Sequence, residues 1–507
     1  MKTQSPRLIL FALAFGVFVA ADDLTVVSTM LRQIVFDLEI PLPDGLDQAA
    51  WVVNAYLIAY VVVMPFTGKL SDIFGRKRIY LLSLILFLIG SIWVILPFNP
   101  LTAPFFEASF RSFLIGRVIT AVGGGAMVPV SMAIIADIYK PEKRASALGI
   151  LGAIDTAGWV WGPLYGAILV RYLSWEWQFY LNIPLTLLGI VLILVALRDL
   201  EEPTVTEPID WIGAGLLTTC LLTLNIALLN SGDISAAGGF ADFEAETKVS
   251  TLPLYLTAAA TFILFGLYER RLEQNQSIAP LISPALFKLP NFTIAILINF
   301  IIGSTLIIAM VNVPLVVNVL EVDVGSAAIT SGWLLSCMTG AMAIAAYIGG
   351  QWTERRGILP PTLVGLLGCA IGFSLLGLLW VASTPYSSMA WQLAVLGIGF
   401  GLVTAPIGAA VINTVPDSER GVASSLVIVM RLIGMSVGLS ALTAWGLHRF
   451  GILREQITLP AIDNPNFQNA LIQGLTDTTV AVLAETFVIS AVFAIIGVLL
   501  ALRLQSQ

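Results

Sequence analysis

Four ionisable residues stand inside stretches otherwise built from aliphatic and aromatic side chains: Asp23, Arg117, Asp155 and Arg431. A charge within a bilayer-spanning segment costs roughly 2.5–3.5 kcal/mol on insertion scales, so such residues face a water-filled cavity or a partner. A carboxyl group in that setting can load and release a proton as its surroundings alternate between wet and dry. Asp23 is therefore read as the carrier of a coupling proton; the alternative is an acid that reaches outer water together with Asp22. Arg117 stays charged at any working pH. Near Asp23 it would favour release of that proton, or it would serve as a structural ion pair. Asp155 and Arg431 have the same two options, lining a cavity as protonation site and gate cation, or pairing locally.

A second set of residues recurs with fixed spacing. Gly68–Arg78, read as a loop between two apolar spans, is GKLSDIFGRKR, and a reduced copy, GQWTERRG, stands 282 positions later at Gly350–Gly357. Glycine, carboxylate and closing glycine keep their intervals: Gly68, Asp72 and Gly75 in the first copy, Gly350, Glu354 and Gly357 in the second. Positive-inside topology explains Arg76, Lys77 and Arg78 but not the interval. The expected role is a cytoplasmic gate made by Gly68, Asp72, Gly75, Arg76 and Glu354. In it Asp72 faces the N-terminal end of a helix of the other half, near Gly421, where the helix dipole favours an anion. Glu354 is one carbon longer and lacks the full basic run, so its copy is expected to be weaker.

The repeat extends further. Setting PEKRASALGILGAIDTAGWVWGPLYG (from Pro141) on PDSERGVASSLVIVMRLIGMSVGLSAL (from Pro416) with Arg144 over Arg420 places Gly158 on Gly434, Gly162 on Gly438 and Asp155 on Arg431. Pseudo-equivalent helices then carry an acid in one half and a base in the other. Gly158, Gly162 and Gly166 recur on one helix face, where small residues let backbones approach, and Pro163 removes a hydrogen bond. These four are read as a dry hinge sealing the cavity; ordinary close packing is the alternative.

The elements that must carry these residues are helices. Of the 507 residues, 58% are hydrophobic and 11% charged, too oily for a soluble domain. A hydrocarbon core of about 30 Å needs about 20 apolar residues per helix, and fourteen such stretches lie between residues 8 and 502. The run after residues 1–7 lacks a small-residue cleavage site and leads into Asp22 and Asp23, so it reads as a retained first helix. The fold class is all-α integral membrane: a six-helix bundle over 1–200, a two-helix insert with polar linkers over 201–289, and a second six-helix bundle over 290–507. Lys and Arg concentrate in the loops on one side, which places both termini in the cytoplasm of a cell inner (plasma) membrane. Outer loops include acidic stretches at 32–48 and 231–250 and a long one at 448–477, a candidate contact for a periplasmic partner.

Several classes are excluded. A net charge of −7 offers no footprint for nucleic acid. One histidine, His448, and three cysteines inside apolar spans (Cys220, Cys337, Cys369) provide no metal or disulfide framework. No phosphate-binding loop G-x-x-x-x-G-K-[ST] occurs, and Gly123–Gly125 reads as helix packing. No cofactor is expected; the proton gradient is the energy source, and no convergent nucleophile suggests an enzyme.

These motifs resemble the major facilitator superfamily, and within it the fourteen-helix drug:proton antiporter branch. Gly68–Arg78 is similar to the family's G-x-L-x-D-x-x-G-R-K pattern, departing at Ile73. GAIDTAGWVWGPLYG resembles the antiporter glycine-proline motif, with Tyr165 in place of a terminal glycine. DDLTVVSTML resembles D-x-T-V-V, which places its acid on Asp23. Arg117 in LIGRVITAVGGG and the segment WEWQFYLNIP match further branch features. The first helix and last outer loop also look similar to mycobacterial triacylglyceride exporters. The resemblance implies the major facilitator fold and proton-coupled efflux of hydrophobic or amphipathic compounds, multidrug type, from the bilayer by alternating access. A lipid exporter of the same fold is the alternative, and an uncoupled facilitator a further one.

Overall fold

The computed structural model describes residues 5–38, 46–99, 101–106, 109–198, 208–231, 251–275, 279–321, 324–458, 460 and 466–505. The linker residues 199–207, the acidic outer segment 232–250 and the stretch 39–45 lie outside the described residues.

Fourteen α-helices are present among the described residues, and no strand. The first six are α1 (Pro6–Asp37), α2 (Leu46–Phe74), α3 (Arg76–Ile95), α4 (Phe110–Ile138), α5 (Pro141–Tyr172) and α6 (Glu176–Ala196). Two follow as α7 (Trp211–Ser231) and α8 (Leu252–Asn275). The last six are α9 (Pro290–Leu320), α10 (Val324–Arg356), α11 (Leu359–Leu379), α12 (Tyr386–Thr414), α13 (Arg420–Arg454) and α14 (Phe467–Ala501). Thirteen contain a stretch long and apolar enough to cross a membrane. A helix satisfies its own backbone, which is what an apolar surrounding requires.

Helices α1–α6 pack on one another, with α1 against α5 and α3 against α4, and α9–α14 repeat the pattern, with α9 against α13 and α11 against α12. The two sets meet chiefly where α5 crosses α10 and α2 crosses α13. The pair α7–α8 touches this body through α2 and α13, and much of α8 is exposed, including Phe262, Ile263 and Leu267. The repeat is visible in atomic detail. Gly158 and Gly162 lie on the backbones of Phe18 and Asp22 in α1, while Gly434 and Gly438 lie on Phe300 and Ser304 in α9.

Two expectations about loops are corrected. The segment 68–78 is helical except at one residue: α2 runs to Phe74 and α3 begins at Arg76, with Gly75 between them at φ 100°. Its repeat, Gly357, has φ 81° at the end of α10. Positive φ at a single residue is the least costly way to reverse a chain between two helices, and glycine adopts it without Cβ strain. The outer loop placed at 448–477 is also shorter than expected. Helix α13 continues to Arg454 and α14 starts at Phe467, because the polar residues at both ends extend helices instead of leaving them.

Candidate functional site: a buried charge cluster and two latches

Helix α4 brings Arg117 to the centre of the first bundle because its glycines remove side chains where neighbours press closest. A Cβ at Gly123 would come within 2.5 Å of the Phe87 amide, and one at Gly125 within 2.6 Å of the Tyr60 carbonyl. Arg117 and Asp23 are both fully buried, with Nη1 at 2.7 Å from Asp23 Oδ2. Arg117 Nη2 donates to the Asp23 carbonyl at 3.3 Å, and Asn182 Nδ2 donates to Asp23 Oδ1 at 2.9 Å. The guanidinium lies 4.2 Å from the Tyr56 ring centroid, a cation–π contact that is stronger when desolvated. Gln178 Nε2 donates to Asp22 Oδ2 at 3.1 Å and to Asn182 Oδ1 at 3.3 Å. Desolvating an isolated charge costs several kcal/mol, which pairing and additional hydrogen bonds offset. Asp23 has that full set.

A second pair spans the two bundles. Arg431 Nη2 reaches Asp155 Oδ2 at 3.3 Å, and both residues are buried. Arg431 is held by the close passage of α13 over α9, where its backbone carbonyl meets Gly303.

At the end carrying residues 68–78 the bundles are latched twice. Asp72 accepts from the Gly421 amide at 3.0 Å and the Val422 amide at 3.3 Å, the first free N–H groups of α13, where the helix dipole favours an anion. Arg76 contacts Asp72 at 3.2 Å and Asp137 at 2.8 Å, and Arg420 contacts Asp137 at 3.1 Å. Arg76 also donates to the Asp417 carbonyl at 3.3 Å. The repeat-related latch is thinner. Glu354 accepts from the Ser146 amide at 3.4 Å, and Arg144 Nη1 donates to Asn413 Oδ1 at 2.9 Å. Ile358 stands where the first copy has Arg76. Glycine makes both approaches: Gly68 lies against the Gly421 carbonyl and Gly350 against that of Ala145.

The structure thus joins Asp23 with Arg117, Asp155 with Arg431, and Asp72 with Arg76. Glu354 stands apart in its own latch, and Gly75 turns the chain behind the first. Gly158, Gly162 and Gly166 line the face of α5 that rests on α1, the last over the Val26 carbonyl. The α5 backbone is helical through Pro163, whose side chain lies outside the described residues. Sequence reasoning missed Gln178, Asn182, Asp137 and Asn413. A signal existed for two of them: Gln178 and Asn182 are four apart in an apolar run and so share a helix face. Glu485 forms a bidentate pair with Arg449 at 2.8–3.0 Å. Among the described residues no group of three or more metal-ligating side chains converges.

Residues 13–439 match the family model of the Major Facilitator Superfamily. The chain belongs to this superfamily. It is 32% identical to the triacylglyceride transporter of Mycobacterium tuberculosis, covering 99% of this chain and 95% of that one. It is 31% identical to multidrug resistance protein 3 of Bacillus subtilis, over 87% of this chain and 79% of that protein. Among solved structures, the proton:xylose symporter XylE aligns with a TM-score of 0.61 at 14% identity, covering 96% of this chain and 94% of that chain. The human organic anion transporter MFSD10 aligns with a TM-score of 0.53 at 13% identity, over 97% and 99%. These likenesses identify the fold. The superfamily member described here is a multi-pass membrane protein built for transport.

Proposed function

We propose that this protein is a proton-coupled secondary transporter that exports hydrophobic or amphipathic compounds by alternating access across the inner (plasma) membrane, with both termini cytoplasmic. The observation that carries this reading is the fully buried Asp23–Arg117 pair with Asp22 beside it. Ionisable groups of that kind inside a membrane bundle serve proton or substrate pathways. The latches support the mechanism. They close the basic, cytoplasmic end between the bundles, while the outer parts of α5 and α13 pack on α1 and α9 of their own bundle. Breaking the latches and closing the opposite end would expose a central substrate site to the other side. The membrane potential alone supplies about 2.3 kcal/mol per charge per 100 mV. The end where α13 and α14 turn is the surface a periplasmic partner would meet.

Reconstitution into proteoliposomes with an imposed pH gradient tests the reading, using ethidium as a cationic probe and a fluorescent triacylglycerol as a neutral one. Ethidium accumulation that collapses with the gradient is the expected result. The second reading, export of neutral lipid, draws support from relatives named triacylglyceride transporters along nearly the whole chain. Lipid movement without ethidium movement would select it. Flux of either probe that ignores the gradient would identify a facilitator and end the coupling argument.

A further inference from the structure

The two neighbouring carboxylates of α1 are treated unequally by their surroundings. Asp23 is saturated: Oδ2 is held by Arg117, Oδ1 by Asn182, and the backbone carbonyl by Arg117 again. Asp22 is also buried, 7% exposed, yet it receives one hydrogen bond, from Gln178 to Oδ2, while Oδ1 has no partner. Among the described residues no cationic side chain pairs with Asp22; Arg117, the partner of the adjacent carboxylate, is spent on Asp23. The Gln178 carbonyl oxygen, Oε1, is buried and partnerless as well.

We propose that Asp22, and not Asp23, is the residue that takes up and releases the coupling proton, with Asp23 remaining ionised as the fixed counter-charge of Arg117. This rests on the proton-coupled reading above and assigns its proton to a residue. Moving a proton onto Asp23 would take from Arg117 the one carboxylate it is bonded to, a change of several kcal/mol. Moving one onto Asp22 discharges a buried carboxylate that has no counter-ion and leaves the Asp23–Arg117 pair intact.

The hydrogen-bond inventory fits both states. With Asp22 ionised, Gln178 presents its Nε2–H to Oδ2, as seen. With a proton added at Asp22, one O–H bond forms and the carboxyl gains a donor. Turning the Gln178 amide over then presents Oε1 as the acceptor for that O–H, in exchange for the Nε2 bond to Asn182 Oδ1. A glutamine can follow this change without itself ionising. The proton arrives from water on one side and returns to water on the other when the bundle alternates; no other bond is made or broken.

The groups facing this point are few. On α1 itself there is Asp23. From α4 comes Arg117, and from α2 Tyr56, stacked on Arg117. Helix α5 contributes Tyr165, within electrostatic reach of Asp22. Helix α6 contributes the neutral amides Gln178 and Asn182, with Glu176 two positions before the former. On the α5 side the backbone of Asp22 is covered by Gly158 and Gly162, which keeps water from that flank.

Infrared difference spectroscopy of the purified full-length protein across a pH titration tests this without knowing the substrate. The expected result is a protonated-carboxyl C=O band that titrates in the wild type, disappears in Asp22→Asn and shifts in Asp22→Glu. Asp22→Asn is expected to keep wild-type thermal stability and to reduce gradient-driven ethidium accumulation by about tenfold or more, within the usual range of coupling between sites. A titrating band of unchanged amplitude in Asp22→Asn overturns the assignment, as does undiminished gradient-driven accumulation by that variant. Loss of the band in Asp23→Asn, in protein as stable as wild type, would return the proton to Asp23. A wild type whose flux ignores the gradient would instead remove the coupled reading itself, a result distinguishable because the band measurement needs no transport.

Discussion

The two latches at the basic end descend from the same repeat, occupy equivalent positions, and are chemically unequal. In the first, an aspartate seats on two amides at the start of α13, and Arg76 and Arg420 converge on Asp137. In the second, a longer glutamate reaches one amide of α5 at 3.4 Å, and Arg144 meets the neutral Asn413. Three substitutions between the copies each remove a charge or lengthen a lever: Asp72 to Glu354, Asp137 to Asn413, Arg76 to Ile358. A duplicated contact has become one strong fastening and one weak one. Symmetry of backbone does not impose symmetry of energy.

Four substitutions would break or sharpen this contrast. The largest effect belongs to Asp72→Ala. It removes hydrogen bonds to a charged group, each contributing roughly 1.5–3 kcal/mol, and leaves Arg76 with one carboxylate instead of two. Transport is expected to fall by more than about tenfold, with faster alkylation of a cysteine introduced at Ser425, the α13 residue against Gly68. An unchanged alkylation rate would show that Asp72 does not hold the end closed.

Next comes a paired comparison, Arg420→Gln beside Arg144→Gln. Both contacts have an ionised donor, but only Arg420 also faces a carboxylate and so adds an ion pair, and the first variant should lower the melting temperature more than the second. Equal losses would mean that charge on Asp137 adds nothing. The smallest effect is expected for Glu354→Gln, which preserves an acceptor at an exposed contact. A change in transport under about twofold is anticipated, in line with surface charges contributing about 0–1 kcal/mol. A loss as deep as that of Asp72→Ala would erase the proposed inequality.

Much of this architecture could be read from the residues, for identifiable reasons. Long apolar stretches announce membrane helices whatever their neighbours do, and the paired glycine–acid–glycine spacing exposed the duplication. That alignment set Asp155 over Arg431, and the two meet across the bundles. What escaped the sequence is partnership between distant polar residues. Asp137 looks like a helix-end acid until Arg76 and Arg420 close on it from two other helices. Asn413 carries no signal at all in isolation. Gln178 and Asn182 could have been singled out by their spacing, but nothing local shows that they face the carboxylates of α1. The segment 68–78 misled because polar residues in a short span suggest a loop, whereas here they decorate helix ends and Gly75 alone makes the turn.

That continuity of α2 has a mechanical consequence. The same helix carries Asp72 at its basic end and, sixteen residues earlier, Tyr56 beneath the guanidinium of Arg117, a span of about 24 Å at the usual helical rise. Between them Tyr60 rides on Gly125 of α4, a bearing surface where backbone slides on backbone. Pro65, which cannot donate a backbone hydrogen bond, marks where the shaft can bend. Lifting Asp72 from Gly421 therefore applies torque to a rod whose far end is the aromatic shelf under the buried charges. The proposed gate and proton site would then be geared together through one continuous helix, with no relay of side chains between them.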